Sequence, residues 1–154
     1  MLTKFALAAL LASTLLACAP SGPIDVGFEG TDEELAAAQA AGAEWNDACG
    51  RELVLVHRGE GHISLHGQHG RVEGTHAAVT HSHDGDAYEI VFQDDDVNHA
   101  PYMPMIAHEM GHALGLPHTV DGLMSKSIPN GVVGADGRLT QGMITQAECD
   151  AIQR

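Results

Sequence analysis

The sequence predicts an α+β domain built on a mixed sheet, and three observations carry that prediction. An Ala-rich stretch with helical periodicity comes first, runs of β-branched and aromatic residues follow, and a histidine-bearing helical stretch precedes a capped closing helix.

Thr31 offers an N-cap, and Glu34 three residues on completes a capping box. Asp32 to Cys49 is therefore predicted as the first helix, with Leu35, Ala38, Ala41, Trp45 and Ala48 on one face and Gly50 as its stop. Trp45, the only tryptophan, reads as a core anchor. Leu53-Val54-Leu55-Val56 is a continuous apolar run, the mark of a strand buried on both faces. The Gly- and His-rich segment from Gly59 to Gly85 predicts short strands near His62 to His66 and Arg71 to Thr80. Ala87 to Phe92 alternates as a further strand, bounded by Asp86 and by Asp94-Asp95-Asp96.

His99 to Pro104 reads as a loop, with Pro104 where a first-turn proline is tolerated. The next helix is expected from about Met105 to Leu114, turning Ile106, Ala107, Met110, Ala113 and Leu114 inward. Pro129-Asn130-Gly131 and Ala135-Asp136-Gly137 are turn signals in a loop. Thr145 and Glu148 form a second capping box that opens the closing helix.

Ahead of the domain, Lys4 and the apolar run Phe5 to Leu16 read as a secretory signal peptide, too short to span a membrane as a helix. Leu15-Leu16-Ala17-Cys18 resembles a bacterial lipobox, which implies cleavage before Cys18 and lipid on its thiol. Cleavage after Ala19 and soluble secretion is the alternative, disfavoured by Pro20 beside that cut. The expected division is a signal peptide over 1–17, a lipidated Gly- and Pro-containing tether over 18–30 and one domain over 31–154.

Loss of Lys4 takes the formal charge from −14 to −15. So acidic a chain is repelled by nucleic acid and by anionic lipid surfaces, so any membrane association comes from a lipid anchor, and a monomer is expected. Cys49 and Cys149 remain as an even pair, which in an exported protein reads as one disulfide. The alternative is that one of them serves as a thiolate latch on a metal.

The chemistry concentrates in His108-Glu109-Met110-Gly111-His112-Ala113-Leu114-Gly115-Leu116-Pro117-His118. Helical positions four apart share a face, so His108 and His112 can present ring nitrogens to one ion. Gly115 can end the helix and Pro117 discourages another turn, bringing His118 round as a third ligand. Three neutral nitrogens leave a tetrahedral Zn²⁺ one open position, the pattern of a catalytic site. Glu109 is left beside the ion as a general base toward metal-activated water.

This motif, followed by Met124 in Gly122-Leu123-Met124-Ser125, resembles that of the metzincin zinc metallopeptidases, and Ala113 to His118 is most similar to the matrixin form. The resemblance runs from about Gly85 to Met124. It implies a small zincin domain with an N-terminal helix, a mixed sheet, an active-site helix, a Met-turn at Met124 forming a hydrophobic floor, and a C-terminal helix. It also implies a helix between the first two strands, which is not evident in the sequence, and an edge strand that pairs with a peptide substrate. That strand is Ala87 to Phe92 or its predecessor.

His76, His81, His83, Asp84 and Asp86 lie where matrixins carry a structural zinc, without reproducing its spacing, and solvated loop histidines are the alternative. Asp94 to Asp96 is a weaker calcium candidate. The expected function is a zinc-dependent endopeptidase acting on extracytoplasmic peptides or proteins in the bacterial cell envelope. The alternatives are a non-catalytic zinc-binding surface lipoprotein and an interaction protein on a degenerate peptidase fold.

Overall fold

The computed structural model describes residues 22–68, 78–83, 87–93, 102–127, 133–134 and 137–152. Their order is β1 (Ile24–Glu29), α1 (Asp32–Cys49), β2 (Val54–Arg58), β3 (Ile63–Gln68), β4 (Ala78–His83), β5 (Ala87–Gln93), α2 (Tyr102–Ala113) and α3 (Gln146–Ala151). The strands form one mixed sheet in the order β2-β1-β3-β5-β4. β2, β1, β3 and β5 run parallel, and β4 joins β5 antiparallel. The α+β class is as the sequence predicts.

The expected tether over 18–30 is corrected by β1, so the folded domain begins before residue 31. Ile24, Val26 and Phe28 alternate into the core and are buried, and β1 lies between β2 and β3. Its glycine, read as a linker signal, has a packing reason: a Cβ on Gly27 would collide with Gly59 O and Gly61 N, where the β2–β3 connection passes over β1. With β1 in place, the predicted helix α1 is the connection between the first two strands. The signal segment, Cys18 and the start of the tether lie outside the described residues.

Both capping boxes form. Thr31 Oγ1 accepts from Glu34 N, and Thr145 Oγ1 accepts from Glu148 N. Gly50 takes a left-handed φ of 63° at the end of α1. Ala38, Ala41 and Trp45 are buried as predicted, whereas Ala48 is exposed and Gly42 is buried instead, in a narrow gap over Val54 and Val56.

Leu53 to Val56 is not a strand buried on both faces. β2 is an edge strand whose Leu55 stays 43% exposed, because both helices pack on one side of the sheet. At the opposite edge is β4, with β5 interior, so of the two candidate strands the predecessor is the edge strand among the described residues. α2 begins earlier than expected, with Pro104 in its first turn, and its face of Ile106, Ala107, Met110, Ala113 and Leu114 is buried.

The core lies between the sheet and the helix pair, with Val26, Phe28, Leu65 and Ile90 facing Trp45, Ile106 and Met110. Cys49 and Cys149 form the expected disulfide, joining the end of α1 to α3. The turn at 129–131 and residues 135 and 136 lie outside the described residues; Gly137 takes the positive φ its turn signal predicts.

Candidate metal centre

α2 delivers His108, Glu109 and His112 to one place because four residues advance the helix by little more than a turn. The helix then stops: Gly115 takes φ 91°, and Gly115 N and Leu116 N donate back to His112 O and Gly111 O, both at 2.9 Å. The reversed chain brings His118 round to the helical histidines. Ring centroids lie 4.8 Å apart for His108 and His112, 4.7 Å for His112 and His118, and 5.3 Å for His108 and His118.

Each helical imidazole is oriented by a backbone carbonyl. His108 Nδ1 donates to Leu123 O at 2.6 Å, and His112 Nδ1 donates to Leu116 O at 2.8 Å. A carbonyl accepts only from an N–H, so Nδ1 carries a proton on both rings and Nε2 is the nitrogen left to serve as a ligand atom. His112 Nε2 faces His118 Nε2 at 3.3 Å. Two ligand nitrogens about 2.0–2.1 Å from a tetrahedral zinc lie roughly 3.3–3.4 Å apart, so this separation is that of a ligand pair. Donor atoms of all three histidines fall within 4.8 Å of one another.

Partial burial, then the electrostatic influence of His112, His108 and Lys126, push the His118 pKa below its ordinary value, with Glu109 opposing. A neutral imidazole with a free lone pair is the form that binds metal. The three histidines can therefore hold a metal ion; the set suits zinc, and imidazole nitrogens also suit copper, iron and nickel.

Glu109 is 93% buried beside His108 in α2. Met124, fully buried, lies against α2 at Gly111, where a Cβ would collide with its Sδ. Its turn is held at both ends: Thr119 N donates to Met124 O and Leu123 N donates to Met143 O, each at 2.8 Å, with Gly122 at φ 81°. His108, His112 and His118 thus come together, with Glu109 buried next to His108 in α2 and Met124 against Gly111. The disulfide engages Cys49 and Cys149 with each other, so neither is a latch on the metal.

His76, Asp84, Asp86 and Asp94 to Asp96 lie outside the described residues, and His81 and His83 fall in β4. Among the described residues, the three-histidine group is the one cluster able to hold an ion. Sequence reasoning missed the carbonyls of Leu116 and Leu123, because a backbone acceptor has no side-chain signature. It also missed the contact of Trp45 with α2, where Nε1 donates to Ala107 O at 2.7 Å. The one local signal was Gly111, a glycine inside a helix that must have a packing reason.

No family model matches the chain, and no curated protein matches it in sequence.

Proposed function

We propose that this protein is a zinc-dependent endopeptidase of metzincin type, most like the matrixins, acting on peptides or proteins outside the cytoplasm. The observation that carries the reading is the convergence of His108, His112 and His118 with buried Glu109 adjoining them and Met124 packed under the helix. Support comes also from α1 between the first two strands and from the antiparallel edge strand β4 packed beside α2.

A zinc ion held by the three imidazoles would supply Lewis acidity toward a water and a scissile carbonyl. Glu109 accepts the proton of the attacking water on a carboxylate oxygen and returns it to the leaving amine nitrogen. The carbonyls of Leu123 and Leu116 hold the rings of His108 and His112 in one tautomer, so their lone pairs stay directed inward. An extended peptide would pair along the outer edge of β4, which meets no other strand among the described residues.

The disulfide favours an oxidising compartment, in keeping with export, and a lipid on Cys18 would supply the membrane anchor. Among the described residues, no helix is long and apolar enough to cross a membrane.

The test is cleavage of an unfolded protein by the mature domain with and without a chelator, beside Glu109→Gln. Chelator-sensitive cleavage that Glu109→Gln abolishes is expected. Stoichiometric zinc with no cleavage of any unfolded protein would instead establish the non-catalytic zinc-binding alternative.

A further inference from the structure

We infer that Trp45 is a positioning residue of the metal centre, setting through α2 where the two helical ligands stand. The inference rests on the reading of His108, His112 and His118 as metal ligands.

Trp45 belongs to α1 but meets α2 at two places one turn apart. Its indole Nε1 donates to Ala107 O at 2.7 Å in a buried bond between residues 62 apart in sequence. Its Cζ2 lies 2.9 Å from where a Cβ on Gly111 would stand. Ala107 immediately precedes His108, and Gly111 immediately precedes His112. The contacts therefore flank both helical ligands from a face of α2 that carries neither. Ala107 O is also the carbonyl that the helical ladder pairs with Gly111 N–H, so the indole adds a second donor to a bond inside the ligand-bearing turn.

Met124 Sδ and Cε crowd the same Gly111 position. One missing side chain thus seats the helix against both the indole and the methionine turn, whose Leu123 O orients His108. Rotation of α2 about its axis would move both ligand rings relative to His118, which arrives on a separate segment. The indole bond and the close seat at Gly111 oppose that rotation whether or not metal is present. A hydrophobic core residue of equal volume would fill the space without fixing the rotation, because dispersion contacts have no directional donor.

Linkage gives a test independent of catalysis. If the indole bond favours the arrangement that binds metal, metal binding must favour the indole bond by the same factor. In protein labelled with ¹⁵N at its single tryptophan, Zn²⁺ should shift the indole N–H signal and slow its exchange with solvent. Trp45→Phe keeps an aromatic ring and loses the donor; competition against a chromophoric chelator should show its Zn²⁺ affinity down about fivefold or more. Phe28→Leu, which removes volume from the same core but leaves the indole donor to Ala107 O in place, should lower thermal stability and leave Zn²⁺ affinity within about twofold of the parent.

An unchanged affinity in Trp45→Phe, or an indole signal indifferent to Zn²⁺, overturns the inference while leaving the metal centre intact. Failure of the parent protein to bind one equivalent of Zn²⁺ overturns the metal reading and the inference together. Should Trp45→Phe not fold, the parent's indole signal decides.

Discussion

Glu109 and His108 are neighbours on one turn of α2, and the proposed mechanism gives them opposite requirements, one as a proton carrier and the other as a fixed lone pair. Glu109→Gln keeps the size of the side chain and all three imidazoles, so the variant should bind one Zn²⁺ by metal analysis and cleave nothing in a peptidase assay. His112→Ala leaves two protein ligands, and both metal content and cleavage should be lost. Gly111→Ala sets two effects against each other. Helix propensity favours Ala by about 1 kcal/mol, whereas overpacking costs typically about 1–3 kcal/mol. The new Cβ meets Met124 and the Trp45 ring, neither of which can swing into solvent, so overpacking should win and urea denaturation should show net loss of stability. The three histidines and Glu109 were legible because their chemistry lies in side chains at fixed spacing. The carbonyls of Leu116 and Leu123 that orient them were not, since any residue supplies a carbonyl.

Among the elements, β1 was the one the sequence concealed. Ile24, Val26 and Phe28 alternate properly, but Pro23, Gly27 and Gly30 crowd a run so short that it reads as a linker. Only the crossing of the chain at Gly59 to Gly61 explains why the middle of a central strand is glycine. Gly27→Ala would press a methyl into backbone rather than into a movable side chain, so a loss of about 3 kcal/mol or more is expected in denaturant unfolding.

The pairing of β1 with β2 also carries a pH dependence. His57 donates from one ring nitrogen to Arg58 O at 3.2 Å and from the other to Asp25 Oδ1 at 2.6 Å, an arrangement that requires both N–H groups. The backbone bond, then the carboxylate, raise its pKa above the ordinary value. The resulting stabilisation is full below the ordinary histidine pKa and fades as pH rises through the raised one. Thermal melts across that range should show a small decline that Asp25→Asn flattens. The helices were far more legible, because the capping boxes at Thr31 and Thr145 and the stop at Gly50 are local devices that need no tertiary partner.

At the scale of the molecule, Cys49–Cys149 closes a loop with a sequence separation of 100 residues. The chain-entropy model values such a closure at roughly 4–5 kcal/mol, a large share of the stability of a small domain. Under reducing conditions the unfolding midpoint in urea should therefore fall sharply, and reoxidation should restore it. The same bond holds α3, whose Arg51 contacts at Cys149 O and Ile152 O tie the end of the fold to the segment following α1. The pairing was legible from counting cysteines. The strand order was not, because parallel pairing between distant segments leaves no local trace.

The place of β1 in the sheet has a further consequence for a protein anchored through Cys18. With Ile24 already fixed in the fold, only residues 19–23 separate lipid from sheet. Fully extended, that leash reaches about 20 Å. A peptidase tied in that way, as proposed here, would patrol a thin layer above the bilayer, and its substrates would be selected first by height: embedded or adsorbed polypeptides would pass within reach, and freely diffusing ones would meet it only at the surface.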